Sequence, residues 1–312
     1  MADISPACAK PILITGGAGF IGSHLADALL ARGFRVRVLD DLSTGKRANL
    51  AAEVELQVGN VADAAAVRRA LAGCQAVVHL AAVASVQASV DDPVATHQSN
   101  FIGTLNLCEA MREEGVKRVL FASSAAVYGQ NGQGTAIAED LAKAPLTPYA
   151  ADKLASEHYL DFYRRQHGLE PAIFRFFNVY GPRQDPSSPY SGVISIFTQR
   201  ALGGQPITVF GDGEQTRDFI YVADLVGLLV QALEAPQVAD GAINVGLNQV
   251  ISLNALLQEI ASLVGGLPPV THAEARPGDI RHSRADNSRL LAHYRLQQPT
   301  PIGQGLARLL GR

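Results

Sequence analysis

The feature that most constrains this chain is a glycine turn lodged between a short apolar run and a helical pattern. Pro11-Ile12-Leu13-Ile14-Thr15 reads as a buried strand, and Gly16-Gly17-Ala18-Gly19-Phe20-Ile21-Gly22 follows it directly. Helical spacing of Ile21, Leu25, Ala28 and Leu29 then runs to Arg32 and stops at Gly33. Such an order sets bare backbone amides and a helix N-terminus against the end of a strand. Gly16 permits the tight turn, Gly19 lets backbone approach a pyrophosphate, and Gly22 lets the helix pack close to the sheet. The spacing is GxxGxxG. Asp40 closes the second strand, Arg35 to Asp40, at the distance from the turn where a carboxylate accepts from adenosine ribose hydroxyls and repels a 2′-phosphate. The turn, with Phe20 and Ile21 inside it, therefore predicts NAD rather than NADP. Arg35 and Arg37 alternate to the other side of that strand and read as solvated. Asn60, after the third strand, is placed to meet the adenine edge.

The same alternation continues. Val54 to Val58 and Ala76 to Leu80 read as strands, with a helix from about Asp63 to Leu71 between them. A helix over Val94 to Glu114, a strand over Val116 to Ser123, a helix over Tyr149 to His167 and a strand over Pro171 to Phe177 follow. Strands apolar on both faces alternating with helices predict an α/β fold, a doubly wound parallel sheet of the Rossmann type. After Asn178, Pro182, Pro186, Pro189, Pro206, Pro236, Pro268 and Pro269 break the pattern into shorter pieces. The expected organisation is a dinucleotide-binding domain over 1–177 and a smaller α/β substrate lobe over 178–312, with segments such as 218–235 returning to the first.

Composition narrows the function. Of 312 residues, 47% are hydrophobic and 18% charged, enough apolar mass for a large core. A net charge of −3 offers no basic footprint for nucleic acid. Cys8, Cys74 and Cys108 are widely spaced and odd in number, against a disulfide framework or a zinc site, so no metal is expected. Met1 to Lys10 is too short and polar for a signal peptide, and no apolar run spans a bilayer. A cytoplasmic protein is expected.

Tyr149-Ala150-Ala151-Asp152-Lys153 puts a phenol and an ammonium on one helix face. A phenol near pKa 10 is a poor base at neutral pH; a cation one turn away and a positive nicotinamide ring favour the phenolate. Lys153 is also placed to hydrogen-bond the nicotinamide ribose. Ser123 and Ser124 end the fifth strand, at the carboxyl edge where open α/β sheets bind ligands, so one or both are expected to meet the hydroxyl or carbonyl being interconverted.

These residues resemble the extended short-chain dehydrogenase/reductase family, and within it the UDP-hexose 4-epimerases. The resemblance runs nearly the whole length: TGGAGFIGSHL at Thr15–Leu25, HLAA at His79–Ala82, SNFIGT at Ser99–Thr104, SSAAVYG at Ser123–Gly129, PYAADK at Pro148–Lys153, RFFNVYGPRQ at Arg175–Gln184, TRDFIYVAD at Thr216–Asp224 and RPGDIRHSRAD at Arg276–Asp286. It implies a catalytic set of Ser124, Tyr149 and Lys153. It implies that Leu80, Ala81, Ala82 and Asn100 line the NAD, with Asp41, Ser43, Gly45 and Val61 near its adenosine half. It implies that Asn178, Val193, Phe210, Arg217, Arg276 and Asp279 hold the UDP moiety, the arginines supplying forked donors to a diphosphate. Asn60 stands where Asp is more usual. Relatives of this kind are commonly homodimers through two helices per subunit; here Leu105 and Tyr159 are the outward apolar candidates for that seam, with packing inside the chain as the alternative.

The resemblance also covers dehydratases and decarboxylases. Dehydratases carry an Asp-Glu pair directly after the strand-end Ser or Thr, and decarboxylases a nearby Glu; here Ala125 and Ala126 stand there. Without a carboxylate, hydride removal and return is what remains, with NAD tightly bound and not consumed. Ser283 falls where a bulky tyrosine stands in glucose/galactose-restricted epimerases, leaving room for a 2-acetamido group, and Ser85 is placed beside the sugar for the same reason. The expected reaction is interconversion of UDP-N-acetylglucosamine and UDP-N-acetylgalactosamine, with UDP-glucose and UDP-galactose as a further candidate pair. A UDP-uronate 4-epimerase, using His282 or Arg284 as the extra cation, is the enzymatic alternative, and an NAD-sensing regulator the non-enzymatic one.

Overall fold

A computed structural model describes residues 4–130, 134–185, 192–275 and 280–312. In chain order the elements are β1 (Ile12–Thr15), α1 (Phe20–Ala31), β2 (Val36–Asp40), β3 (Glu55–Val58), α2 (Ala64–Leu71), β4 (Ala76–His79), α3 (Val86–Asp91), α4 (Pro93–His97), α5 (Gly103–Glu114), β5 (Arg118–Ser124), α6 (Pro148–His167) and β6 (Glu170–Phe176). Then come β7 (Asn178–Tyr180), α7 (Val193–Leu202), β8 (Ile207–Phe210), β9 (Thr216–Arg217), β10 (Phe219–Tyr221), α8 (Val222–Glu234) and β11 (Ala242–Val245). The chain closes with β12 (Ile251–Ser252), α9 (Leu253–Val264), β13 (Val270–Ala273), β14 (His282–Ser283), α10 (Ser288–His293) and α11 (Ile302–Leu309).

Two compact units divide these elements. The first comprises 1–127, 145–175 and 226–243; the second comprises 128–144, 176–225 and 244–312. The chain passes from the first unit to the second between residues 175 and 176, and the earlier segment 128–144 also joins the second unit. Its reason is hydrogen bonding: Ile137 N donates to Arg284 O (2.8 Å), and the Tyr128 phenol donates to Asn244 Oδ1 (2.7 Å), whose amide in turn donates to Ile137 O (2.7 Å).

A seven-stranded sheet in the order β11-β6-β5-β4-β1-β2-β3 organises the first unit. The pairs from β5 to β3 run parallel. β1 and β4 are buried at every residue, as strands covered on both faces must be. Strand order reverses between β1 and β4, the switch point at which such sheets open a crevice at their carboxyl ends.

Helix ends follow from local chemistry. The Asp63 carboxylate accepts from Ala65 N at the start of α2. Thr147 caps α6, Pro148 occupies its first turn, and Gly168 ends it in a left-handed conformation (φ 67°). The single helix expected over Val94 to Glu114 is instead α4 and α5 joined by a π turn over Gln98–Ile102.

Two arginines are more deeply engaged than their sequence positions suggest. Arg37 is not solvated: it pairs with Glu55 (2.9 Å) and donates to the carbonyls of Ala70 (2.9 Å) and Ala72 (2.7 Å). Those carbonyls at the end of α2 face the strand and attract a cation. Arg118 is fully buried; it donates to Glu170 (3.0 Å) and to the carbonyls of Ala232, Leu233 and Ala235, tying the end of α8 to the sheet.

The second unit is built from small pieces: β10 beside β7, β13 beside β8, and β9 between β12 and β14. The fully buried Asp218 organises them. Its carboxylate accepts from the amides of Leu247 (2.9 Å), Asn248 (2.9 Å) and Ala285 (3.0 Å). Among the described residues no helix is long and apolar enough to cross a membrane.

Candidate active site

At the switch point the loops after β1 and β4 lie against each other. Gly16 has φ +69°, and a Cβ there would sit 2.7 Å from Ala81 N. A Cβ on Gly22 would meet Gly16 O at 2.4 Å, so the loop closes only with glycine at both positions. Gly19 differs, since only Gly16 O (3.3 Å) lies near its missing Cβ. It caps α1 without a side chain, and the first turn of α1 carries no acidic residue. The result is an open cradle of amides at a positive helix end, which fits a pyrophosphate.

The acidic partner is partly spent on the loop itself. Asp40 is buried and accepts from Ala18 N (2.9 Å) and Leu42 N (2.8 Å), each oxygen keeping a second lone pair. Burial raises its pKa, and those two amides oppose the rise. Gly45 is glycine because a Cβ would meet the Asp40 carboxylate at 2.7 Å. Asp41 accepts from Ser43 Oγ (2.6 Å) and from Asn60 Nδ2 (2.9 Å), so Asn60 is turned toward Asp41. Val61 is buried. Asn100, in the π turn, is buried and clasps the backbone of Val83: its Oδ1 accepts from Val83 N (2.7 Å) and its Nδ2 donates to Val83 O (3.1 Å). What Asn100 holds directly is therefore the loop that carries Leu80, Ala81 and Ala82. Ser85 caps α3, accepting from Ala88 N (3.0 Å).

β5 and α6 bring the reactive groups together. Burial raises the Tyr149 pKa, and the nearby Ser124 hydroxyl, the smaller influence, lowers it. Lys153 is buried, its Nζ 5.9 Å from the centroid of the Tyr149 ring and 4.9 Å from that of Phe121. Burial pushes its pKa down to about 8, against the pull of Asp152 and Glu157.

Ser123 departs from expectation. Successive strand residues face opposite ways, and its buried hydroxyl donates to Glu157 instead of facing the Tyr149 site. Ser124, on the opposite face of the strand, is the serine on the tyrosine's side. Ala125 and Ala126 begin a 3-10 turn (Ala125–Tyr128), and Ala126 N donates to Ser124 Oγ (3.1 Å).

Sequence reasoning missed the buried polar groups behind this site. Thr104 donates to Asn100 O (2.7 Å), so its oxygen accepts from His79 Nε2 (3.1 Å), which leaves His79 Nδ1 to accept from the Thr15 hydroxyl (2.7 Å). Burial pushes the His79 pKa down to about 3 and keeps the ring neutral. The one signal available was Glu157 itself, one turn beyond Lys153 on the same helix face.

In the second unit, Arg217 on β9 and Ser283 on β14 are strand partners. Arg217 donates to Thr216 O (2.9 Å), and Asn178 Nδ2 donates to Asp218 O (3.0 Å). Val193 opens α7 and Phe210 ends β8, both half-buried. His282 is tied to Thr216 (3.0 Å) and Arg284 to Asn248 (2.6 Å). Arg276 and Asp279 lie outside the described residues.

The NAD dependent epimerase/dehydratase family model matches residues 12–246, from the first residue of β1 past the end of β11. The chain belongs to that family. The chain is 39% identical over 303 residues to a UDP-glucose 4-epimerase of Mycolicibacterium smegmatis, covering 95% of this chain and 96% of the relative. A solved UDP-N-acetylglucosamine 4-epimerase from Methanobrevibacter ruminantium M1, in complex with UDP-N-acetylmuramic acid, superposes with a TM-score of 0.91 at 36% identity, covering 97% of each chain. A UDP-N-acetyl-alpha-D-glucosaminuronate decarboxylase of Bacillus cytotoxicus is 34% identical, covering 84% of this chain and 83% of the relative. NAD is therefore the cofactor of this epimerase/dehydratase family member, and the amide cradle at Gly19 fits its pyrophosphate. The family name spans more than one reaction, so the residues around Ser124 must distinguish them.

Proposed function

We propose that this protein is an NAD-dependent 4-epimerase of UDP-hexoses, with the UDP-N-acetylglucosamine/UDP-N-acetylgalactosamine pair as its preferred substrates. One observation carries the reaction type: Ala125 and Ala126 follow Ser124, so the strand end offers no carboxylate to add the acid or base that elimination requires. The relatives named as 4-epimerases support the same reading.

NAD supplies the chemistry of taking up and returning a hydride at sugar C4, and its ring brings a positive charge. The protein supplies the proton handling. Tyr149, as phenolate, takes the proton of the 4-hydroxyl while the C4–H bond breaks, leaving a 4-keto sugar. Ser124 donates to the same oxygen, and the Lys153 ammonium stabilises the phenolate that burial alone disfavours. The keto sugar turns about its diphosphate link; Tyr149 then gives the proton back as the hydride returns to the opposite face. Proton and hydride are both returned within one turnover, so NAD is not consumed. Asn178, Val193, Phe210 and Arg217, with Arg276 and Asp279, are assigned to the UDP moiety. Ser283 and Ser85 are assigned to the sugar.

A homodimer is part of this reading. Val90, Val94, Tyr159 and Phe162 are exposed on α3, α4 and α6, and the Phe101 ring meets Tyr159 edge-on at 5.0 Å. Leu105, expected to face outward, packs against the core cluster under α5 instead.

The test is incubation of the purified protein with UDP-N-acetylglucosamine, UDP-glucose and UDP-glucuronate, without added NAD. Appearance of the C4 epimer is the expected result, and a product lacking water or carbon dioxide overturns the reading.

A further inference from the structure

One buried charged cluster has no part in the proton transfer described above. The Glu157 carboxylate is 7% exposed and the Arg175 guanidinium 6%. Arg175 Nε donates to Oε1 (3.0 Å) and Nη2 to Oε2 (2.6 Å), a two-pronged pair. The Ser123 hydroxyl donates to Oε1 as well. One carboxylate therefore joins α6, β5 and β6. It sits one turn after Lys153 on α6, and its third donor is the residue immediately before Ser124. Stability alone does not call for it, because apolar side chains commonly replace a buried ion pair at no loss.

We propose that Glu157 is a positioning residue for the catalytic groups. Through Ser123 its carboxylate pins the strand end carrying Ser124 to the helix carrying Tyr149 and Lys153, and one turn along that helix it adds to the counter-charge that Asp152 offers the Lys153 ammonium. The proposal rests on the 4-epimerase reading only in treating that pair as catalytic.

The surroundings of Lys153 leave few other sources of negative charge. On its own helix stand Tyr149, Asp152 and Glu157. Asp152 is shared with His97 of α4, whose Nδ1 lies 2.7 Å from Oδ1. From β5 comes the apolar Phe121 ring, and from β4 the neutral His79. Arg175, on β6, is the cation paired with Glu157. Burial disfavours the ammonium, and Asp152 and Glu157 are the two groups that offset it.

The experiment is an NMR titration of ¹³Cε-labelled lysine in the NAD-bound protein, which has five lysines, with Lys153 assigned by the loss of its signal in Lys153→Met. Glu157→Gln keeps the shape and the accepting oxygen but removes the charge. The Lys153 midpoint should fall by about half a pH unit or more. The alkaline limb of kcat should move down with it, while KM for the UDP-sugar stays near wild type. Glu157→Asp, which keeps the charge, should restore most of the shift. Ser123→Ala should lower kcat about 2- to 10-fold at unchanged KM. An unmoved Lys153 titration in Glu157→Gln overturns the counter-charge role, and an unchanged kcat in Ser123→Ala overturns the pinning role. Should Glu157→Gln lose its fold, seen as lost NAD and a collapsed melting transition, Ser123→Ala decides the pinning role by kcat, and the double variant Glu157→Gln/Arg175→Gln, which leaves no buried guanidinium unpaired, carries the Lys153 titration: a lowered midpoint supports the counter-charge and an unmoved one overturns it. A wild-type protein without epimerase activity overturns the proposed function, while the titration still decides the counter-charge.

Discussion

Ser283 of β14 stands directly opposite Arg217 of β9 in a parallel strand pair, so a buried small residue and a forked cation share one register in the second unit. Under the proposed assignment of Ser283 to the sugar, discrimination at so enclosed a position would be by size. Replacing Ser283 with Tyr should lower kcat/KM for the N-acetylated pair at least about tenfold more than for the glucose/galactose pair, the scale at which a steric clash in a pocket discriminates. Initial rates on both pairs, with the melting midpoint recorded alongside, check this; equal losses count against a gate at Ser283.

Removing the phenol isolates proton transfer from binding. Tyr149→Phe should retain bound NAD and lose kcat by about 10²- to 10⁴-fold, with KM changed far less. NAD released on denaturation and a steady-state assay give the two numbers.

Lys153 ties activity and stability to pH in opposite directions. Its folded pKa, about 8, lies below the ordinary 10.5. Turnover should decline as pH rises through about 8 and the ammonium is lost. Between that value and 10.5 the unfolded chain binds the proton more tightly, so this group's contribution to stability rises with pH across the same window. A kcat profile and chemical denaturation in the same buffers, each repeated on Lys153→Met, separate the trends.

His79 acts at the acid end. Its folded pKa of about 3 lies below the ordinary 6.5 because burial disfavours the cation. Stability should fall as pH drops from 6.5 toward 3, by up to about 1.4 kcal/mol per unit from this group. His79→Gln should weaken that slope, even if the protein is less stable at pH 7.

The glycine turn tolerates no methyl at its inner contact. Gly22→Ala places a carbon 2.4 Å from Gly16 O, and the loop must move. The variant should bind NAD at least about tenfold more weakly in an equilibrium titration of the cofactor-stripped protein, the factor that a distortion near 1.4 kcal/mol produces. Unchanged affinity would show that the turn yields.

Much of this was legible in the sequence because the relevant signals are local. The Gly16–Gly22 turn, the capped α6 helix carrying Tyr149 and Lys153, and the alternating buried strands all follow from spacing and residue type. The polar groups that bind the site together were not legible. Ser123 and Ser124 are indistinguishable in sequence, and only the strand's alternation, with Glu157 waiting on one side, separates them. Arg37 reads as a surface arginine until the carbonyls at the end of α2 are seen to face it. The π turn at Asn100 has no signature of its own; its helical periodicity merely continues through Gln98 to Ile102. Among its described residues the segment 128–144 holds no α-helix or ladder strand, so nothing marked it as belonging to the second unit.

Arg118 gives the chain's order of synthesis a physical consequence. It stands on β5, yet three of its hydrogen-bond acceptors belong to residues 232–235, more than a hundred positions later. A nascent chain that has just emerged through β6 carries the whole glycine turn and the Tyr149–Lys153 pair. It still lacks the carbonyls this guanidinium needs and the edge strand β11 that pairs with β6. A fragment ending at 177 is thus not a self-sufficient cofactor module. Translation must deliver α8 and β11 before the first unit can close.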